Sequence, residues 1–152
     1  MTFKQIYGKA KFIQAENIKF PYFRKNFYLD KKIRNAELSI SALGFCEIYL
    51  NGKKITNDLY ITPLAEYNKR FPEEDNLTIN SDAFFGDDLS YTVYVNQFRV
   101  DKFVKKGGNC LGVVLAGGWY RSGMDKHKAF RNYGKLKLCF SITVEYDDGS
   151  SV

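Results

Sequence analysis

The chain has 152 residues, of which 45% are apolar and 26% charged. That is globular composition for one domain burying about 70% of its unfolded surface, which excludes a disordered segment and any need for disulfide or metal staples. The 23 Lys and Arg residues outnumber the 17 Asp and Glu residues for a net charge of +6, but most of the cations are scattered and read as a solvated surface. Residues 1–21 form a lead-in segment with no apolar stretch of the signal-peptide kind. Residues 22–29 are the first predicted strand. Ala36, Leu38, Ile40 and Ala42 then alternate with Asn35, Glu37, Ser39 and Ser41, so residues 35–42 read as a strand with one apolar and one polar face. Gly44 breaks the run, and Cys46, Ile48 and Leu50 alternate against Phe45, Glu47 and Tyr49. Asn51-Gly52 is a hairpin signal, because both positions accept positive φ, and Lys53-Lys54-Ile55 begins the return strand.

Residues 72–88 are acidic and irregular and read as a surface loop. Residues 91–100 are a strand interrupted by Asn96-Gln97, and residues 100–106 a helical turn before Gly107-Gly108. Residues 111–116 are apolar at successive positions, which predicts a central strand covered on both faces, with Gly112 marking close approach of another backbone. In the last strand Leu136, Leu138, Phe140, Ile142, Val144 and Tyr146 share one face, opposite Lys135, Lys137, Cys139, Ser141, Thr143 and Glu145, and Asp147-Asp148-Gly149 turns the chain. The 13 Phe and 11 Tyr favour strands. Many short strands with turn signals between them make an all-β sandwich or barrel. No apolar run reaches the ~18 residues of a membrane span. Cys46, Cys110 and Cys139 are odd in number and lack a C-x-x-C spacing, so they read as free thiols in a reducing, cytoplasmic setting.

The chain offers little catalytic chemistry. Glu73-Glu74-Asp75, Asp87-Asp88 and Asp147-Asp148 are adjacent acids in turns, where carboxylates are solvated or cap backbone N–H groups. Such loops could at most hold a structural Ca²⁺, which takes several loop oxygens. No other cofactor is implied. His127, the single histidine, has no triad or zinc partners. The informative stretch is residues 115–123, where Gly117-Gly118 ends the buried strand and presents Trp119, Tyr120 and Arg121. Aromatic faces stack on sugars and Arg bonds hydroxyls, while the same residues could equally plug the core or meet a neighbouring domain. Around it, Arg121, Lys126, Lys128, Arg131, Lys135 and Lys137 are opposed by Asp125 alone.

One ordered set of motifs carries a resemblance. It runs Tyr22-Phe23-Arg24-Lys25-Asn26-Phe27, Ser41-Ala42-Leu43-Gly44, Glu47-Ile48-Tyr49-Leu50-Asn51-Gly52-Lys53, Tyr67-Asn68-Lys69-Arg70, Gly108-Asn109 and Gly117-Gly118-Trp119-Tyr120. It closes with Asn132-Tyr133-Gly134 and Tyr146-Asp147-Asp148-Gly149-Ser150. Over residues 22–152 the set resembles the N-terminal β-sandwich domain of bacterial α-L-rhamnosidases, glycoside hydrolase family 78. The resemblance implies a jelly-roll, galactose-binding-like sandwich over residues 22–152, acting as an accessory domain to a separate (α/α)₆ barrel that holds the catalytic acids. It implies that Tyr67, Trp119, Tyr120, Arg121, Asn132 and Tyr133 lie at a carbohydrate or domain contact. Further strands follow in that family, so an open C-terminal sheet edge and self-association through it are expected. The alternatives are a stand-alone carbohydrate-binding module and, on the basic cluster alone, a nucleic-acid-binding barrel.

Overall fold

The computed structural model describes residues 2–16, 18–59, 61–63, 65, 67, 92–121 and 133–152. The loop at 72–88, His127, Asn132 and the cations Lys126, Lys128 and Arg131 lie outside them.

Among the described residues one short helix, α1 (Phe3–Tyr7), precedes eight strands: β1 (Ile13–Gln14), β2 (Tyr22–Leu29), β3 (Ile33–Leu43), β4 (Phe45–Leu50), β5 (Lys53–Lys54), β6 (Asn96–Arg99), β7 (Gly107–Ala116) and β8 (Lys137–Tyr146). They form two antiparallel sheets, in the orders β1-β8-β3-β6 and β2-β7-β4-β5. Apart from the β4–β5 hairpin, each strand in sequence passes to the opposite sheet. The protein is therefore a jelly-roll β-sandwich.

Alternation explains the core. Ala36, Leu38, Ile40 and Ala42 of β3 and Leu138 and Val144 of β8 face Cys46, Ile48 and Leu50 of β4 and Leu111, Val113 and Leu115 of β7. A one-residue slip in any of these strands would turn its apolar set to solvent, so the pattern fixes the register. The hairpin forms as the sequence predicts. Asn51 and Gly52 have φ of 52° and 81°, and the Ile55 amide donates to the Ile48 carbonyl at 3.1 Å. At the other corner β3 turns directly into β4 through Gly44, whose φ is 125°. A Cβ there would lie 2.5 Å from the Ala116 carbonyl oxygen and 3.0 Å from Leu136, so only glycine lets the two sheets meet at this point.

Four expectations need correction. The strand at 111–116 is indeed central, between β2 and β4, but its outer face is only half covered at Gly112, Val114 and Ala116. Gly112 pairs in the ladder with Arg24 and Tyr49, but no backbone lies where its side chain would project. A Cβ there would meet the Tyr49 side chain at 3.9 Å, an ordinary contact. The strand expected over 91–100 is confined to Asn96–Arg99, the very region where an interruption was expected. Gln97 belongs to the ladder because its amide reaches Glu37 and Ser39 across the pair, while upstream the Tyr94 carbonyl is taken by the Ser41 hydroxyl at 2.8 Å. Ser39 and Ser41, expected to face water, are buried.

The lead-in contributes to the burial of Ser41. Thr2 caps α1 with a capping box to Gln5, and Gly8 ends it with φ 57°. The helix sits against β8, and the Tyr7 hydroxyl shares a 2.7 Å hydrogen bond with Ser41. Burial raises the Tyr7 pKa. β1 then pairs with Lys137 and Leu138. The other end of β8 is paired by the chain terminus. After the Asp147–Gly149 turn, Val152 and Val144 exchange backbone hydrogen bonds of 3.0 and 2.8 Å. β8 is thus an inner strand, and among the described residues its open edge narrows to the stretch 139–143.

An amide pair, buried Asn109 with exposed Asn51, ties the hairpin to β7. Asn109 is 4% exposed. Its Oδ1 accepts from the Lys105 amide and from Asn51 Nδ2, both at 2.9 Å, and its Nδ2 donates to the Lys105 and Gly107 carbonyls at 2.7 and 3.0 Å. Asn109→Ala strands four partners. A loss of about 2–3 kcal/mol is expected, read as a fall in Tm of roughly 5–10 °C; an unchanged Tm contradicts this role.

The three thiols are free. Burial pushes the Cys46 thiol up to about 11 and raises that of Cys139, whereas Cys110 is half exposed and its sulfur accepts from Arg24 Nε at 3.2 Å. With Ellman's reagent at pH 8, one thiol is expected to react rapidly and two slowly. Alkylation mapping should place the fast one at Cys110.

Candidate functional site

The end of β7 is a tight turn. The Gly117 carbonyl accepts from the amides of both Tyr120 and Arg121 at 3.1 Å. A Cβ on Gly117 would fall 2.3 Å from the Arg121 oxygen, and one on Gly118, at φ 50°, would fall 2.6 Å from the Phe45 ring. Both glycines are therefore required by space. The turn sends Trp119 and Tyr120 in opposite directions, which divides the five described residues of the six singled out by sequence into two groups; Asn132 lies outside the described residues.

Tyr120, Tyr67 and Tyr133 pack together at the end of the sandwich. Tyr67 stands edge-on to Tyr120 and Tyr133, with centroids 4.9 and 5.0 Å away and interplanar angles of 82° and 70°. Tyr120 Oη donates to the Tyr133 carbonyl at 3.1 Å, and the Tyr133 amide donates to the Tyr120 carbonyl at 3.1 Å. Tyr120 is 4% exposed. Burial pushes the Tyr67 hydroxyl up to about 12 and raises that of Tyr120. These three side chains close the core.

Trp119 and Arg121 face the other way, into an open groove of about 960 Å³. Phe45 holds the indole edge-on, with centroids 6.1 Å apart at 88°. The groove is completed by Ile18, Lys19 and Phe20 of the lead-in, which sequence reasoning missed, and by Leu136 and Lys135, the latter a member of the basic cluster read from sequence. Trp119 is 52% exposed, Phe20 50% and Ile18 53%. The available signal was an apolar pair, Ile18 and Phe20, immediately before Pro21 and outside any strand. Lys19 Nζ lies 5.5 Å from the Phe20 ring centroid, and Lys135 is paired with Glu16.

The acids described here serve other ends. Asp147 and Asp148 bond Lys32 and Lys31 at 2.7 and 2.8 Å. Asp148 also accepts from the Ser150 hydroxyl and amide, and Lys31 and Ser150 together hold its carboxyl well below the usual carboxylate range. Both acids fix the final turn. The other paired acids lie outside the described residues, and among the described residues no three His, Cys, Asp or Glu side chains gather as metal ligands. A retaining or inverting glycosidase centre needs two carboxylates about 5–9.5 Å apart across a cleft. The described lining of the groove presents an indole face, a phenyl ring and cations.

Comparison with known proteins places this architecture. Residues 86–152 match the family model described as the alpha-L-rhamnosidase N-terminal domain. An α-L-rhamnosidase of Alteromonas sp. (strain LOR) is 27% identical over 131 residues, covering 86% of this chain and 12% of the relative. The native α-L-rhamnosidase from Aspergillus terreus superposes with a TM-score of 0.75 at 26% identity, over 100% of this chain and 16% of that one. The Streptomyces avermitilis α-L-rhamnosidase complexed with L-rhamnose superposes at 0.63 with 29% identity, over 86% of this chain and 11% of that one. The chain thus spans 12–13% of the length of the first curated relatives it matches.

The tyrosine cluster gives a pH prediction. An unfolded tyrosine loses its proton near pH 10, whereas folded Tyr67 keeps it to about 12. Between those values the unfolded chain binds fewer protons, so stability present below pH 10 falls as pH rises towards 12. Tyr67→Phe should flatten part of that decline in denaturant melts at pH 9, 10 and 11. Parallel curves for the two proteins would show that Tyr67 does not carry it.

Proposed function

We propose that this chain, a relative of α-L-rhamnosidase N-terminal domains in sequence and fold, is the non-catalytic accessory sandwich of a larger glycoside hydrolase that removes terminal rhamnose. In this reading the sandwich packs beside a catalytic (α/α)₆ barrel, and its Trp119 groove holds glycan near that barrel. The observation that carries the binding role is the half-exposed indole, fixed by Phe45 and two sterically required glycines at the mouth of an open groove. A rigid, exposed aromatic face is what a sugar ring stacks on, and its cost in ordering on binding is small. The small share of the relatives' length that the chain covers supports a part of a larger enzyme. The L-rhamnose bound to the Streptomyces avermitilis enzyme supports rhamnosides as the substrate class.

A specific observation also bears on the alternative, in which the groove is buried against the barrel. Lysines are depleted from the centres of protein interfaces, yet Lys19 and Lys135 line this groove beside Arg121. That composition favours a polar ligand over a buried contact.

The experiment is to express the complete reading frame carrying this domain, as wild type and as Trp119→Ala. The wild type is expected to release L-rhamnose. Trp119→Ala should retain turnover of a small aryl rhamnoside within twofold, while KM for a polymeric rhamnose-containing glycan rises by about tenfold, the loss of one stacked ring. Absence of rhamnose release overturns the proposed activity. Equal losses on both substrates, with lowered Tm, would instead assign Trp119 to packing.

A further inference from the structure

The charge of the groove narrows what it can take. Three cations line it, Lys19, Arg121 and Lys135, and no carboxylate is among its described lining. Lys135 is engaged by Glu16. Lys19 and Arg121 have no ion-pair partner among the described residues, unlike Lys31, Lys32, Arg34, Lys54 and Arg99, each of which is paired with an acid. Lys19 is held over the Phe20 ring, and the Arg121 backbone is fixed by its bond to the Gly117 carbonyl. Two cations without an acidic partner among the described residues thus flank one exposed indole. A neutral sugar would leave both charges without a partner, whereas a sugar bearing a carboxylate or a sulfate ester would meet them with charge-assisted hydrogen bonds while its ring covers Trp119.

We propose that the Trp119 groove binds an anionic saccharide, the sugar ring on Trp119 and its acidic group between Arg121 and Lys19. The proposal deepens the carbohydrate role given above, on which it rests, by specifying the ligand's charge. It also accounts for part of the basic cluster. A single-stranded nucleic acid is served less well, because it needs successive stacking rings along a cationic track, and the groove presents one indole.

The test uses the fact that Trp119 is the sole tryptophan, so intrinsic fluorescence reports this groove alone. The probes are a glucuronic-acid-containing disaccharide, its uncharged methyl ester, inorganic sulfate and oligodeoxythymidine. The acid is expected to bind about tenfold more tightly than the ester at low salt, with the difference shrinking as salt rises. Lys19→Gln with Arg121→Gln should abolish that difference and leave ester binding in place, and Trp119→Phe should weaken both sugars. Independently of any sugar, iodide should quench the indole more efficiently than caesium, and the two should converge in the double variant, with circular dichroism unchanged. Equal binding of acid and ester overturns the anionic proposal while leaving the carbohydrate role intact. Failure of both sugars to bind overturns both. Sulfate binding as tightly as the acidic disaccharide, or oligodeoxythymidine binding more tightly, would likewise sink the proposal, by assigning a simple anion site or a nucleic-acid site.

Discussion

Much of this molecule depends on one close contact, the approach of the β3–β4 corner to the end of β7. At Gly44 the chain leaves one sheet for the other with no side chain, because the Ala116 carbonyl and Leu136 occupy the space where a Cβ would stand. One residue later the Phe45 ring fills the gap above Gly118, which in turn can carry no Cβ. The corner therefore joins β3, β4, the end of β7 and the start of β8 at one point. Packing of this density transmits displacement, so a side chain at Gly44 would disturb the indole as well as the sheets.

The same contact separates buried from exposed aromatics. The turn at Gly117 directs Tyr120 inward to Tyr67 and Tyr133, where burial raises the pKa of the Tyr67 and Tyr120 hydroxyls, and Trp119 outward against Phe45. Two neighbouring residues with similar chemistry thus have opposite fates. The polar inventory follows a similar division. Asn51 and Asn109 satisfy one another and the backbone around them, and Asp147 and Asp148 hold the last turn. At the groove, Lys19 and Arg121 have no acidic partner among the described residues.

The lead-in has more influence than its composition suggests. Its capped helix sits against β8 with Tyr7 bonded to Ser41, its short strand extends the sheet beside β8, and Ile18, Lys19 and Phe20 form one wall of the groove. The capping box at Thr2 and Gln5, followed by Gly8, was the signal for that helix. A five-residue helix is too short to show periodicity, which is why the polar serines of β3 looked exposed in sequence.

The sequence by itself determined the β class, the inward sets of β3, β4 and β8, the Asn51-Gly52 hairpin and the importance of the Gly117-Gly118 corner. Alternation and positive-φ residues are local properties, and each is read over a few neighbouring positions. Only the tertiary structure decided which strands pair, that β8 lies inside its sheet, that a side chain at Gly112 would meet no backbone, and that Trp119 and Tyr120 part company. It alone brought residues 18–20 to residue 119, and so decided which cations remain free beside the indole. These outcomes depend on groups far apart in sequence competing for the same space and the same charges, and no local pattern records that competition.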